Sequence, residues 1–453
     1  MNNNKELSKS SSGPATISHR RDLGVNICWL RRDLRLQDNA ALYHALKSGL
    51  PVLVLFIFDK NILEKLDDKK DARVTFIYQT ITKLKDELEK MGSSLLVKYE
   101  SPEKAWPAVL KAYDVKAVYA NHDYEPYAIK RDDSFSEYLN SENIPFHSFK
   151  DQVIFEKAEV VKADGKPYTV FTPYYRQWLQ HLNEFYVKSY PTEKYFKNLH
   201  QSKKLDFPSI KELGFEQSDR AFPSKKFERK LNTYDKERDY PAKDATTHLG
   251  LHLRFGTVSI RAVVREALTQ KADKWLSELA WREFYMMILW HFPHITNKAF
   301  KPAYDNINWR NNEEEFKAWC EGKTGYPIVD AGMRQLNETG FMHNRVRMVV
   351  ASFLCKHLLI DWRWGETYFA EKLLDYEQAS NVGGWQWACG SGNDAAPYFR
   401  VFNPELQLKK FDPKMEYVFK WAPEYKQAIL PIPIVEHAFA RERVLRIYKM
   451  SLI

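Results

Sequence analysis

The chain has few of the residues that mark metal, disulfide or membrane proteins. Its 4 cysteines, Cys28, Cys320, Cys355 and Cys389, are scattered through 453 residues and none forms a Cys-x-x-Cys pair. That spacing gives no zinc site and no disulfide framework, so no metal is expected, and it fits a reducing compartment, read here as the cytoplasm. Nothing in it supports an iron–sulfur cluster. No apolar run reaches membrane-spanning length, so no membrane partner is expected. The 17 glycines include neither GxGxxG nor GxxxxGK, which removes the two commonest glycine-based nucleotide signatures. Internal repeats are absent. The segment 1–22 is rich in Asn, Lys and Ser without a hydrophobic stretch. It reads as a disordered leader, not a secretory signal.

Aromatic residues and positive charge are plentiful. There are 13 Trp, 25 Tyr and 27 Phe, 14% of the chain. Such a share suits a large core and also stacking on a planar cofactor or on bases. The net charge is +9 and the isoelectric point about 9.0, which fits a phosphate-rich partner such as DNA. The length allows two or three domains.

Within 23–150 the pattern alternates strand and helix. The apolar runs Val25–Trp29, Val52–Phe58, Leu95–Tyr99 and Ala117–Ala120 read as buried parallel strands. Between them Val74, Ile77, Ile81, Leu84 and Leu88 share one helical face, with Gly92 as the stop. This predicts an α/β domain, a doubly wound, Rossmann-like parallel sheet. Arg31-Arg32-Asp33-Leu34-Arg35 after the first strand reads as a surface ion-pair loop, with Asp38-Asn39 opening the next helix. Periodicity weakens over 151–206, which reads as an interdomain connector laid over the surface. Over 207–453 helical periodicity dominates, as in Ile260–Leu268, Trp275–Leu289 and Val346–Leu359, so the second domain is expected to be all-α.

The chemistry-bearing strings fall in that second half. Asp375-Tyr376-Glu377 places two carboxylates where a sugar hydroxyl or a guanidinium could bind. Asn381, Gly383-Gly384, Trp385 and Trp387 follow. Glycine permits backbone approaches that a side chain would block. Tyr234 and Arg238 precede Thr246-Thr247-His248-Leu249-Gly250, whose hydroxyls and backbone N–H groups at a helix start suit an anion. Glu278 and Trp281 are three apart and share a helical face, so one can accept hydrogen bonds from a base while the other stacks. Asn344, Arg347 and Met348 likewise share a face.

The long ordered string from Asp375 to Pro404, ending Asp394-Ala395-Ala396-Pro397-Tyr398-Phe399-Arg400-Val401-Phe402-Asn403-Pro404, resembles the flavin-binding signature of the photolyase/cryptochrome family. The resemblance runs over nearly the whole chain from about Val25. It implies an FAD-binding helical domain and a light-driven enzyme acting on UV-damaged DNA, similar to class I cyclobutane pyrimidine dimer photolyases. FAD-binding positions are then Tyr234, Thr246, Thr247, His248, Leu249, Gly250, Arg282, Arg347, Asp375, Tyr376, Glu377 and Asn381. The family usually has Thr-Ser-x-Leu-Ser in the second of these strings, so Gly250 lacks the final hydroxyl. The resemblance pairs Arg347 with Asp375 and sets Asn381 against flavin N5, where an amide can donate to N5 or accept from N5–H.

By the same resemblance, Glu278 and Asn381 are catalytic, and Trp385, Trp362 and Trp309 form an electron-transfer triad beside a further ring, Trp364. Arg238, Glu278, Trp281, Asn344, Arg345, Met348, Trp387 and Arg400 face the lesion or its flanking phosphates. Glu125, in Asn121-His122-Asp123-Tyr124-Glu125-Pro126, stands where some members hold an antenna chromophore: a folate, a deazaflavin or FMN. Two alternatives are a cryptochrome-like photoreceptor and a (6-4) photolyase. The Asn381 amide favours repair, since plant cryptochromes usually have Asp there and insect ones Cys. Asn344 and Met348 replace the two histidines of (6-4) enzymes. A monomer is expected.

Overall fold

The computed structural model describes residues 24–395, 397–427 and 430–452. The expected leader at 1–22 lies outside them. Strands β1 (Val25–Leu30), β2 (Val52–Phe58), β3 (Leu95–Tyr99), β4 (Val115–Asn121) and β5 (Phe146–Phe149) form one parallel sheet in the order β3-β2-β1-β4-β5. The central β1 and β2 are buried along their whole length, which is why they read as unbroken apolar runs. The edge strand β5 carries His147 and Ser148, both exposed, and gave no such run. Helices α1 (Ala40–Lys47) and α2 (Ala72–Lys90) cover one face of the sheet. Helices α3 (Pro102–Ala112) and α4 (Pro126–Ser141) cover the other, giving the doubly wound arrangement. The α2 stripe is as expected, with Val74, Ile81, Leu84 and Leu88 buried on the sheet. Asp71 caps its start by accepting from the Arg73 N–H, and Gly92 follows its end at φ +77°.

The stretch 151–206 is more than a surface connector. It contains α5 (Phe171–His181), whose Phe171, Tyr174 and Trp178 are buried in the core of the helical region. Glu283 fastens this stretch from the opposite side. Its buried carboxylate accepts from the backbone N–H groups of Ile154 (2.7 Å) and Phe155 (2.9 Å) and from Trp178 Nε1 (2.6 Å).

Beyond 207 the described structure is helical or irregular. The helices that matter for the site are α6 (Gly250–Arg254), α7 (Ile260–Thr269), α8 (Asp273–His291), α9 (Glu313–Glu321), α10 (Pro327–Thr339), α11 (Asn344–Ser352), α12 (Trp362–Lys372) and α13 (Gln378–Cys389). After them come α14 (Pro404–Phe411) and α15 (His437–Ser451). The helix expected over Val346–Leu359 is interrupted, because α11 gives way at Phe353–His357 to a wider turn of π-helix.

The loop Arg31–Arg35 is not a surface feature. Arg32 and Arg35 are 9% and 6% exposed and lie between the sheet domain and the helices. Arg35 donates to Gly256 O (3.0 Å) and to Asp151 (2.6 Å). From α7, Arg261 pairs with Asp38 (2.9 Å) and Asp151 (2.7 Å). Gly256 has φ +60°, and a Cβ there would stand 2.1 Å from Arg32 O, so only glycine lets the two backbones meet.

Candidate functional site

A cavity of about 420 Å³ opens between α8, α11, α12 and α13. Its size is that of a small-molecule or cofactor site. Helix α8 supplies Lys274, Glu278, Trp281, Arg282 and Tyr285 to its wall. These positions are three and four apart, so one helical face carries them all. Helix α11 supplies Asn344, Arg347 and Met348. Asp375, Tyr376 and Glu377 lead into α13, which adds Asn381, Gly384, Trp385 and Trp387. Arg238 stands at the same opening.

Arg347 and Asp375 meet, with Nη2 donating to both carboxylate oxygens at 3.1 and 2.9 Å. Arg347 Nε is tied to Met342 O at 2.7 Å, so the fork has one orientation. Glu377 is 6% exposed and accepts from Arg32 (2.5 Å) and Arg282 (3.1 Å). Burial alone would raise its pKa, but the guanidiniums of Arg282 and Arg32 overcome that and hold it below the usual carboxylate range. Asn381 Nδ2 donates to Glu366 O (3.0 Å) and to Glu366 Oε1 (2.9 Å). With its N–H groups committed, the amide keeps its oxygen as the free polar atom, an acceptor.

At the mouth, Glu278 is paired with Arg238, and Lys274 approaches it at 3.6 Å. Two residues assigned separate roles by resemblance, a lesion acid and a phosphate-binding arginine, therefore form one ion pair. Trp281 stacks face to face on Phe171 of α5, with ring centroids 3.8 Å apart and planes at 11°. The stretch read as a connector thus backs a wall of the cavity.

Trp385 is 2% exposed and lines the cavity, and Trp362 is equally buried, whereas Trp309 is half-buried. Gly365 of α12 touches the Trp385 ring so closely that a Cβ would stand 2.1 Å from it. Trp364 packs edge-on against Phe316 at 5.2 Å. Trp319, which the sequence reading omitted, lies 6.1 Å from Trp385 between ring centroids.

Several expected site residues are not on the cavity wall. Tyr234 is buried beneath the Arg238 guanidinium at 5.5 Å. Thr246, Thr247, His248 and Leu249 precede α6 beside Asp375. His248 hydrogen bonds with Asp244 at 3.0 Å, and burial, with Lys230 nearby, lowers its pKa, so it is not a ready cationic donor to a phosphate. Gly250 is explained by packing, because a Cβ there would lie 2.6 Å from Asp375 Oδ2. Gly250→Ser is accordingly expected to displace Asp375 and lower the flavin content of the purified protein, read as the 450 to 280 nm absorbance ratio. Arg345 pairs with Asp239 (2.8 Å) and lies over Phe411 at 4.2 Å. Arg400 is exposed, and its carbonyl accepts from the buried Lys356 at 2.7 Å.

Glu125 does not face an open crevice. It accepts from Arg254 at 2.5 and 3.3 Å and lies 3.2 Å from Arg32, so its carboxylate is committed across the domain interface. The wall residues the sequence reading missed are Lys274, Tyr285, Ala351, Phe369, Leu373 and Ser380. Lys274 and Tyr285 could have been found, each lying four residues along α8 from a residue already singled out.

An FAD group fits what is present. The cavity combines a fixed Asp375–Arg347 pair, an amide acceptor and buried indole, and at Gly384 a Cβ would meet nothing within 4 Å. Comparison with known proteins agrees. Residues 26–194 match the DNA photolyase family model, and residues 275–432 match that for the FAD binding domain of DNA photolyase. A deoxyribodipyrimidine photo-lyase of Alkalihalophilus pseudofirmus is 35% identical, covering 93% of this chain and 97% of the relative. The solved structure of a bacterial class III photolyase from Agrobacterium tumefaciens superposes with a TM-score of 0.82 at 33% identity, covering 97% of this chain and 99% of that one. An archaeal photolyase from Sulfolobus tokodaii, solved with two FAD molecules, gives 0.80 at 35% identity over 94% of this chain and all (100%) of that one. On these grounds the chain belongs to the DNA photolyase family.

Proposed function

We propose that this protein repairs DNA by splitting cyclobutane pyrimidine dimers in light, with FAD bound in the cavity between α8 and α13. The observation that carries the reading is the meeting in one cavity of two residue sets: Asp375, Arg347, Asn381 and Trp385, suited to a flavin, and Glu278, Trp281, Asn344, Met348 and Trp387, suited to a lesion. When bound, FAD supplies light absorption and the exchange of an electron with the dimer. Asp375 and Arg347, as a fixed charged pair, and Asn381, through its free amide oxygen, would hold the flavin ring system. Trp281 and Trp387 stack against the extruded pyrimidines, which leave the duplex at lower cost than a sound pair because the dimer is already distorted. Glu278 accepts hydrogen bonds from the pyrimidine edge and so orients the dimer. Trp385, Trp362 and Trp309, ordered from buried to half-buried, carry electrons between the cavity and the surface.

Arg238, Arg345 and Arg400 bind the phosphates beside the lesion. Each neutralised phosphate adds a salt-dependent increment, so Arg345→Ala is expected to reduce the slope of log affinity against log salt by roughly 1. Equilibrium binding of dimer-bearing duplex at several salt concentrations measures this. A second, antenna chromophore in the sheet domain is part of the reading, with Glu125 already engaged by Arg254 and Arg32. No helix among the described residues is long and apolar enough to cross a membrane. A monomer working in the cytoplasm is the corresponding proposal.

The absence of the paired histidines, with Asn344 and Met348 at the cavity instead, favours the cyclobutane dimer over the (6-4) product. The test supplies purified, reduced protein with both lesions under blue light. Light-dependent loss of the dimer alone is expected. Repair of the (6-4) product would overturn the lesion assignment, and loss of neither lesion would favour a photoreceptor.

A further inference from the structure

Helix α13 brings Asn381, Gly384 and Trp385 to the cavity, yet it lacks a cap of its own. Its N-cap residue, Glu377, makes no side-chain capping bond. Helix starts leave backbone N–H groups without intrahelical partners, and these need an acceptor when buried. Here the acceptor comes from the other domain: Glu125 Oε1 accepts from the Gln378 N–H at 3.3 Å. The residue that makes no cap, Glu377, is itself held by Arg32 from the end of β1, at 2.5 Å.

These contacts belong to one buried cluster. Arg32 Nη1 reaches Asp123 (3.0 Å) and Glu125 (3.2 Å), and Arg32 Nε donates to Arg254 O (3.2 Å). Arg254 is forked on Glu125, and Arg282 closes the cluster on Glu377. Three guanidiniums thus face three carboxylates. The exposed fractions of these side chains run from 5% for Asp123 to 18% for Glu125, so charges are neither screened nor replaceable by water. Asp123 shows the strength of the field. Burial would raise its pKa, but Arg32 and Arg254 hold it down at about 2. Removing one member of such a cluster leaves its partner charged, buried and unpaired.

We infer that Arg32 and Glu125, both in the sheet domain, are positioning residues for the start of α13 and so for the flavin-facing groups Asn381 and Trp385. The sheet domain then completes the cofactor site, a task separate from carrying an antenna. The inference rests on the proposal that FAD occupies the cavity.

The test uses the full chain and the variants Arg32→Gln and Glu125→Gln, titrated with FAD after removal of bound flavin. The dissociation constant for FAD is expected to rise at least about tenfold in each, the order set by losing one partner of a buried charge pair. Amide exchange at the first turn of α13 is expected to speed up, while exchange in the β1–β2 core stays unchanged. Combining Arg32→Gln with Glu377→Gln removes opposite charges together and is expected to recover part of the lost affinity, a coupling that a merely structural defect would not show. Should Arg32→Gln not fold, Glu125→Gln, at the more exposed edge of the cluster, carries the test. Folded variants that bind FAD as tightly as the parent, with α13 exchange unaltered, would overturn the inference. Failure of the parent chain itself to bind FAD would instead overturn the functional reading.

Discussion

Replacing Glu283 by leucine is expected to lower the melting temperature by roughly 3–9 °C. The change strands the N–H groups of Ile154 and Phe155 and the indole N–H of Trp178, all of which donate to this carboxylate. Each buried donor left unmade costs about 1–3 kcal/mol, and in a chain of 453 residues each kcal/mol lowers the midpoint by about 1 °C. Circular dichroism melting measures the shift. Glu283→Gln, which keeps one acceptor oxygen but adds an NH2 against the same donors, is expected to fall between leucine and the parent.

The same carboxyl gives a pH dependence of defined sign. Burial raises its pKa from 4.5 to about 7, against the lowering effect of its donors. A group whose value is higher in the folded than in the unfolded chain favours folding when protonated. Its contribution is full below pH 4.5 and fades as pH rises through 7. Glu283→Gln should remove that part of the slope. A slope unchanged by this substitution would show that Glu283 is ionised throughout.

Trp281→Ala is expected to weaken binding of dimer-bearing DNA roughly tenfold or more while leaving undamaged duplex nearly unaffected. Stacking on a base is worth about 1–3 kcal/mol by alanine substitution. Undamaged DNA, with its bases still paired, would meet only the arginines proposed to bind phosphate. Fluorescence anisotropy with matched damaged and undamaged duplexes separates the two effects. Equal loss on both would mean that Trp281 supports the fold and not the lesion. Phe171, stacked on its other face, makes the distinction necessary.

What could be read from the sequence follows from how local the signal was. Strands β1 and β2 are central and buried on both faces, so their residues are apolar without interruption. Strand β5 is a short edge with two polar residues and looks like a loop. Helix α5 did carry a signal, with Phe171, Tyr174 and Trp178 on one face, masked by the prolines and lysines around it. Arg347 and Asp375 were paired from family resemblance, and the structure brings them together. Arg32 and Glu377 stand 345 positions apart, and no periodicity links them. The loop around Arg31–Arg35 read as solvated because charged residues usually are, and only the packed interface shows why it is buried. Gly250 looked like a lost hydroxyl in the sequence; in the fold it is the room that Asp375 occupies.

The most direct test of the site is titration of flavin-free protein with FAD, followed by flavin fluorescence and checked by a cooperative melt. Saturable uptake is expected, lost on Asp375→Ala, with dimer-bearing DNA altering the spectrum of the bound flavin. Protein that melts cooperatively and yet takes up no FAD would contradict it.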